Sequence, residues 1–339
     1  MSSTVEKSGT EQSVQQPQAK FNLTRFLRKY GTQVVIFGVF VVLWILVIIA
    51  EPQTFLSKQI YIAFMATIPF FAIVALPLTM LIIAGEMDLS FPSVMAIGMV
   101  AFITVFNATG SIFLALIAGL VTGFLAGLLN GVIVVWIGIP SLVVTIGTQF
   151  FWRGAVLVLL GGKGNTLVEA KDMVIRGWLV EKWGGIPMQM IWLVIIAIAT
   201  WVLLNRHRFG ANIYVIGDNK QTAELMGINT ARTRMLMFAL VGLAAAFAGI
   251  LASLQVSFFW PSLGEGRLLQ TLAAVFVGGT SVFGGVGTIF GTFIGAFVIG
   301  TIEAAIVAIG WTGFWTQLIY GLIIIIFVSI HEIVRKRIG

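Results

Sequence analysis

Three acidic side chains sit in or against apolar stretches, where a carboxylate is costly and usually marks a pathway or a buried pair. Glu86 and Asp88 belong to GEMDLSFPS (Gly85 to Ser93), and Glu303 lies within a long apolar run. Asp88 is placed to accept hydrogen bonds from the hydroxyls of a polyol passing the break. Its competing role is structural: Pro92 suits the first turn of a helix, with Asp88 or Ser90 as its cap. Other chemistries lack residues. There are no cysteines, so thiolate metal sites and cysteine nucleophiles are excluded. No His, Asp and Glu cluster has metal-ligand spacing, and both histidines, His207 and His331, fall at the ends of apolar runs. No Ser/His constellation supports intramembrane hydrolysis. GGKGNT (Gly161 to Thr166) fails the phosphate-binding pattern, because Lys163 is followed by Gly164 and Leu157 stands at the first glycine position. GGVGTIFG likewise places Phe290 at the third glycine of a dinucleotide fingerprint. The chain is expected neither to hydrolyse ATP itself nor to carry a cofactor or metal.

The elements that hold these residues must be membrane helices. Of 339 residues, 59% are hydrophobic and only 10% charged, whereas a soluble domain carries about 25% charged residues. A span needs roughly 20 apolar residues, so about eight to ten spans fit, with little left for a soluble domain. The net charge of +7 is explained by cytoplasmic Lys and Arg rather than by nucleic-acid binding. Residues 1 to 20 are polar with no apolar core, which suits a cytoplasmic tail rather than a signal peptide.

The expected fold is an all-α integral membrane protein of about ten helices in two inverted halves, both termini cytoplasmic. Residues 1–30 form a tail, 31–333 the transmembrane domain and 334–339 a basic C-terminus. The spans are expected at Val34 to Ala50, Ile60 to Ala84 (with Pro69 and Pro77), Pro92 to Phe106, Ile112 to Ile137, Pro140 to Leu160, Met188 to Leu204, Met235 to Val256, Leu268 to Val282, Thr288 to Ile309 and Phe314 to Ile330. Thirteen of the 20 Lys and Arg then lie inside. Gly119, Gly123, Gly127 and Gly131 recur every fourth residue and offer a smooth ridge for close helix approach. Gly287, Gly291 and Gly295 repeat that spacing later. Gly85-Glu86 and Gly264-Glu265 each precede such a segment, which suggests an internal repeat of the kind common in transporters.

The one long polar interruption, residues 205–234, leans basic: Arg206, Arg208, Lys220, Arg232 and Arg234 against Asp218 and Glu224. Asp218 with Gln221 three residues on reads as a capping box. Gly227 reads as a left-handed stop, and Asn229 or Thr230 as the cap of the next span. The result is a short amphipathic surface helix exposing Ala223, Leu225 and Met226. Such a helix either lies flat on lipid or serves a partner protein.

Four stretches together resemble the permease subunits of ABC importers for ribose-type simple sugars and polyols. They are GEMDLSFPS, NGVIVVWIGIPSLVVTIGT (Asn130 to Thr148), FGANIYVIGDNKQTAELMGI (Phe209 to Ile228) and GGTSVFGGVGTIFGTFIGA (Gly278 to Ala296). They cover about two-thirds of the chain in family order. The resemblance implies a bacterial inner-membrane protein that forms half of a pathway. Its implied partners are a second permease subunit, identical or related, a cytoplasmic ATPase and a periplasmic substrate-binding protein. It implies ATPase coupling through Phe209, Gly210, Tyr214, Gly217, Asp218, Asn219, Ala223, Glu224 and Gly227. A translocation path would draw on Asp88, Ser90, Ser93, Asn130, Thr145, Thr148 and Glu303. Two positions depart from the family pattern. Pro92 replaces a glycine of the Asp-Leu-Ser element, and Arg267 to Thr271 lacks the acidic residue many relatives carry before Ala-Ala. Both leave the solute open. A permease for nucleosides or branched-chain amino acids shares the fold, and a stand-alone ion-coupled transporter is the alternative of another class. The latter is disfavoured by the scarcity of intramembrane charge and by the elaborate central segment.

Overall fold

The computed structural model describes residues 23–338; the expected tail over residues 1 to 20 lies outside the described residues, as does Gly339. Helix α1 (Leu23–Ala50) is followed by α2 (Pro52–Phe55), α3 (Lys58–Thr67), α4 (Pro69–Ile83), α5 (Phe91–Thr109), α6 (Ile112–Val132) and α7 (Ser141–Leu160). Helices α8 (Val174–Val180), α9 (Met188–Asn205), α10 (Arg208–Asp218), α11 (Lys220–Leu225) and α12 (Thr230–Val256) come next. The last three are α13 (Arg267–Val277), α14 (Ile289–Ala308) and α15 (Gly313–Ile338). A π-helical turn, Ile133–Ile137, extends α6. The strand content among the described residues is two short antiparallel pairs, Asn165–Thr166 with Phe258–Phe259 and Lys182–Trp183 with Ile186–Pro187.

All ten expected apolar segments are helical, but they are not equal. Among the described residues seven helices are long and apolar enough to cross a membrane, or eight if α3 and α4 count as one bent span. The bend between those two is 49° and falls at Pro69, whose ring and missing N–H disrupt the preceding turn. Pro77 lies inside α4 without ending it, and every residue of α4 is buried, so its freed carbonyl is sheltered by protein. Helix α13 has only 11 residues, a rise of about 16 Å against a hydrocarbon core of about 30 Å. The expected span from Leu268 to Val282 is therefore a buried half-length helix followed by a turn.

Burial sorts the helices into two shells. Helices α4, α5, α12 and α13 are largely buried, whereas α1, α7 and α15 carry exposed apolar side chains along much of their length. Apolar residues such as Val158, 83% exposed, and Phe314, 82% exposed, need lipid or a protein partner to cover them.

The glycine ridge of α6 lies against α12. A Cβ at Gly123 would overlap the Gly242 carbonyl, and one at Gly127 the Phe238 carbonyl; at Gly131 it would press on the Met235 backbone. Gly119 meets Ile250 and the Gly98 carbonyl instead. Without side chains, the two backbones approach closely enough for dispersion to hold the pair, which is how helices associate where no hydrophobic drive exists. In α14, Gly291 and Gly295 abut the Gly278 and Ala274 carbonyls at the end of α13, while Gly287 lies before the helix, against Ile83 and Thr280.

Two inner helices end alike. After α4, Glu86 N–H donates to Leu81 O (3.1 Å) and Gly85 N–H to Ile82 O (2.9 Å). After α13, Thr280 N–H donates to Val275 O (3.2 Å) and Gly279 N–H to Phe276 O (2.9 Å). Gly85 and Gly279 supply the left-handed conformation that this termination requires, at φ +83° and +80°. The same termination closes α7, α11 and α14 at Gly161, Gly227 and Gly310, so it marks a common way of ending a helix here rather than a repeat. Thr79 on α4 and Thr292 on α14 share a buried hydroxyl hydrogen bond of 2.6 Å, which ties the two units together.

Candidate functional site

The α4–α5 break folds around Asp88. Its Oδ1 accepts from the Ser90 backbone N–H and from the Ser90 hydroxyl, both at 2.7 Å, a side-chain turn typical of Asp. On α6, Asn130 Nδ2 donates to Ser90 Oγ at 2.7 Å and reaches Asp88 Oδ2 at 3.5 Å. Asp88, Ser90, Ser93 and Asn130 have no exposed surface. Among the described residues Asn130 Oδ1 and Ser93 Oγ have no protein hydrogen-bond partner, so each is free to take a water or a solute hydroxyl. Alongside, Ser141 Oγ accepts from Met87 N–H (3.1 Å), and the Thr145 hydroxyl donates to the Ser141 carbonyl (2.8 Å). Thr148 makes only a long bond to the Thr145 carbonyl, 3.4 Å. The structure therefore unites Asp88, Ser90 and Asn130, lays Thr145 beside them, and leaves Thr148 on the flank.

Pro92 opens α5 within its first turn. Its carbonyl accepts from Arg153 of α7 at 3.3 Å, and the same guanidinium donates to the Pro261 and Leu263 carbonyls. A Cβ at Gly264 would overlap the Pro92 carbonyl. Arg153 thus ties α7 to the turn before α13.

The polar interruption folds into two helices, not one. Helix α10 follows from apolar spacing that is readable in the chain: Phe209, Ile213 and Ile216 fall four and three apart, and the last two are buried. Gly210 meets the Leu204 carbonyl at the end of α9. At the far end Gly217 sits where a Cβ would overlap the Ile83 carbonyl and crowd the Gly285 N–H. That N–H already donates to Ile83 O at 2.9 Å. The Tyr214 hydroxyl donates to Gly287 O at 2.8 Å, and burial raises its pKa, so the phenol stays a neutral donor. Helix α10 is therefore seated on the end of α4 and on the turn that follows α13.

Asp218 closes α10, and the cap of α11 is Asn219, whose Oδ1 accepts from Thr222 N–H at 3.0 Å. The expected cap is thus off by one, because Asp218 is still helical. Gly227 adopts φ +78°, with Ile228 N–H donating to Ala223 O at 3.0 Å. Asn229 caps α12 through Arg232 N–H at 2.9 Å. Glu224 accepts from the Thr230 hydroxyl at 2.9 Å and lies 3.9 Å from Lys220. Ala223 is fully buried, contrary to expectation, because it faces the helix seat; Leu225 and Met226 are 89% and 67% exposed.

Glu303 shares no hydrogen-bond partner with Asp88. Its Oε2 accepts from Gln270 Nε2 at 2.9 Å and lies 3.5 Å from the Tyr320 hydroxyl, while Arg267 donates to Gln270 Oε1 at 2.8 Å. An acid from α14 thus lies against the start of α13. This network joins α13, α14 and α15. Glu303→Ala is expected to lower stability by about 1–3 kcal/mol, by leaving the Gln270 amide N–H without an acceptor. Glu303→Gln keeps an acceptor and should retain most of it. Thermal melting of the purified protein in detergent, followed by gel filtration, compares the two.

Residues 60–328 match the family model described as the permease component of branched-chain amino acid transport systems. The chain belongs to that permease family. Among its relatives is the autoinducer 2 import system permease protein LsrC of Salmonella paratyphi B, 31% identical over 276 residues, or 81% of this chain and 79% of that protein. The LsrC protein of Escherichia coli is 31% identical over 273 residues, 80% of this chain and 79% of its own. That of Yersinia pestis is 29% identical over 274 residues, covering 80% and 77%. No solved structure matches the chain. Family and apolar helices together make this a multi-pass inner-membrane permease subunit of an import system, as its four motifs led us to expect.

Proposed function

We propose that this permease forms half of the transmembrane pathway of an ATP-driven importer for a monosaccharide or polyol, working with a second permease subunit, a cytoplasmic ATPase and a periplasmic binding protein. The observation that carries the reading is the surface pair α10–α11. It is built into the bundle by Gly210 and Gly217, yet it holds Leu225 and Met226 out in the open. A helix serving only as a connector has no reason to be both locked on its inner side and apolar on its outer one. A groove on the ATPase is the natural cover for those two side chains. In this reading both termini and α10–α11 face the cytoplasm, the ten apolar segments form two halves of opposite orientation, and ATP binding and hydrolysis shift the pathway between outward and inward access.

The cargo is sought through the binding protein. The relatives are named for autoinducer 2 import, which makes that compound the first solute to test, beside ribose and, for the family's printed description, leucine. Titrating the importer's binding protein with the three decides among them. The docking reading has its own test: Leu225→Asp with Met226→Asp is expected to cut recovery of the importer's ATPase on the purified permease at least about tenfold, as removal of central apolar anchors does. Undiminished recovery would sink it.

A further inference from the structure

Glu86 and Arg234 form an ion pair whose side chains are only 11% and 10% exposed. Glu86 follows the left-handed Gly85 at the end of α4 and stands two residues before Asp88. Arg234 stands one helical turn after Thr230, whose hydroxyl holds Glu224 of α11. Surface helices and polar break are thus joined twice. One joint is rigid, Gly217 against the Ile83 carbonyl. The other is ionic and runs from Glu224 through Thr230 and Arg234 to Glu86.

The ionic joint has room beside it. A cleft of about 340 Å³ opens at the pair, lined in part by Lys220, Val134, Gly138, Ile139 and Ser141. Val134 belongs to the π-helical turn, a feature frequent at functional sites. Ser141 in turn accepts from Met87 N–H, the residue between Glu86 and Asp88. Arg234 Nε is buried without a partner, so Glu86 is the guanidinium's one ionic anchor among the described residues. We propose that Glu86 and Arg234 are positioning residues that transmit movement of α10–α11 to the Asp88 break, the pair acting as a hinge pin whose cleft gives it space to move. The proposal rests on the coupling role of α10–α11 argued above.

A static buried pair would stabilise the fold equally in every state, whereas a transmitting pair makes the break's response to ATP depend on it. The chain has no cysteine, so Ile139→Cys provides a unique maleimide site in the exposed wall of the cleft. In the intact importer reconstituted in liposomes, the Ile139→Cys labelling rate is expected to change severalfold on adding ATP and magnesium. Glu86→Gln, which leaves Arg234 unpaired, should make labelling insensitive to nucleotide while the ATPase still co-purifies and hydrolyses ATP. The exchange Glu86→Arg with Arg234→Glu should restore part of the response. Should Glu86→Gln fail to insert, Arg234→Lys, which keeps the charge but loses the planar fork, carries the same comparison. A full nucleotide response in the single variants overturns the proposal. No response in the parent, or no bound ATPase, would instead overturn the coupling reading on which it rests.

Discussion

Replacing Gly217 by valine is expected to uncouple the importer, with uptake falling far more than the amount of protein in the membrane. The cause is geometric. The Cβ position at residue 217 is already occupied by the Ile83 carbonyl, with the Gly285 N–H beside it, and these atoms are backbone, fixed in turns that end α4 and follow α13. No rotamer change relieves the overlap. Helix α10 must lift, breaking the Tyr214 to Gly287 hydrogen bond along with the contact. Overpacking typically costs about 1–3 kcal/mol, which would shift the seated population by roughly 5- to 150-fold. Spans α6 and α12, whose glycine-lined contact with each other does not involve Gly217, should still form. Gly227→Ala offers a graded control. At φ +78° a side chain is strained by roughly 1–2 kcal/mol, but nothing lies within 4 Å of its Cβ, so the loss should be smaller. Glu224→Gln, which keeps an oxygen for Thr230, should be milder still. Solute uptake and ATP hydrolysis, both normalised to inserted permease, separate the cases; normal uptake by Gly217→Val would end the idea that the seat transmits force.

Much of this arrangement is legible in the chain because it is local. The glycine spacing of α6 predicts a close helix contact without naming α12, since the partner is set by three-dimensional packing. Gly227 and Asn229 announce a stop and a start, because left-handed backbone and side-chain capping need particular residues at particular steps. What the chain conceals is non-local. That Glu303 meets Gln270, 33 residues earlier, depends on how α13 and α14 cross; the half-length of α13 is marked by Gly278-Gly279-Thr280-Ser281, but Val282 and Phe283 beyond it make the apolar run read on. Asp88 and Asn130 are 42 residues apart and carry no shared pattern. Helix α10 is a different case: its apolar spacing is present, but the surrounding charges make the segment read as a loop.

The second large effect concerns Asp88, whose two roles predict different results for two substitutions. Asp88→Ala removes the acceptor for the Ser90 N–H, the Ser90 hydroxyl and the weaker contact from Asn130. All three donors lie in a fully buried region, and each buried donor left unsatisfied costs about 1–3 kcal/mol. The break between α4 and α5 should loosen, and uptake should fall to background even where the protein still inserts. Asp88→Asn separates structure from transport. Its side-chain oxygen can still accept from the Ser90 N–H and rebuild the turn, but it brings a neutral amide whose donors face those of Asn130. If Asp88 is only a structural cap, the asparagine variant regains both stability and most of its uptake. If the carboxylate also accepts hydroxyl hydrogen bonds from a passing solute, asparagine restores melting temperature and ATPase recovery but leaves uptake at least about tenfold down, the loss expected from a charged hydrogen bond of roughly 1.5–3 kcal/mol. Equal recovery of stability and uptake by Asp88→Asn would return this residue to a purely architectural role and move the search for solute contacts to Asn130 and Ser93, whose buried oxygens have no protein hydrogen-bond partner among the described residues.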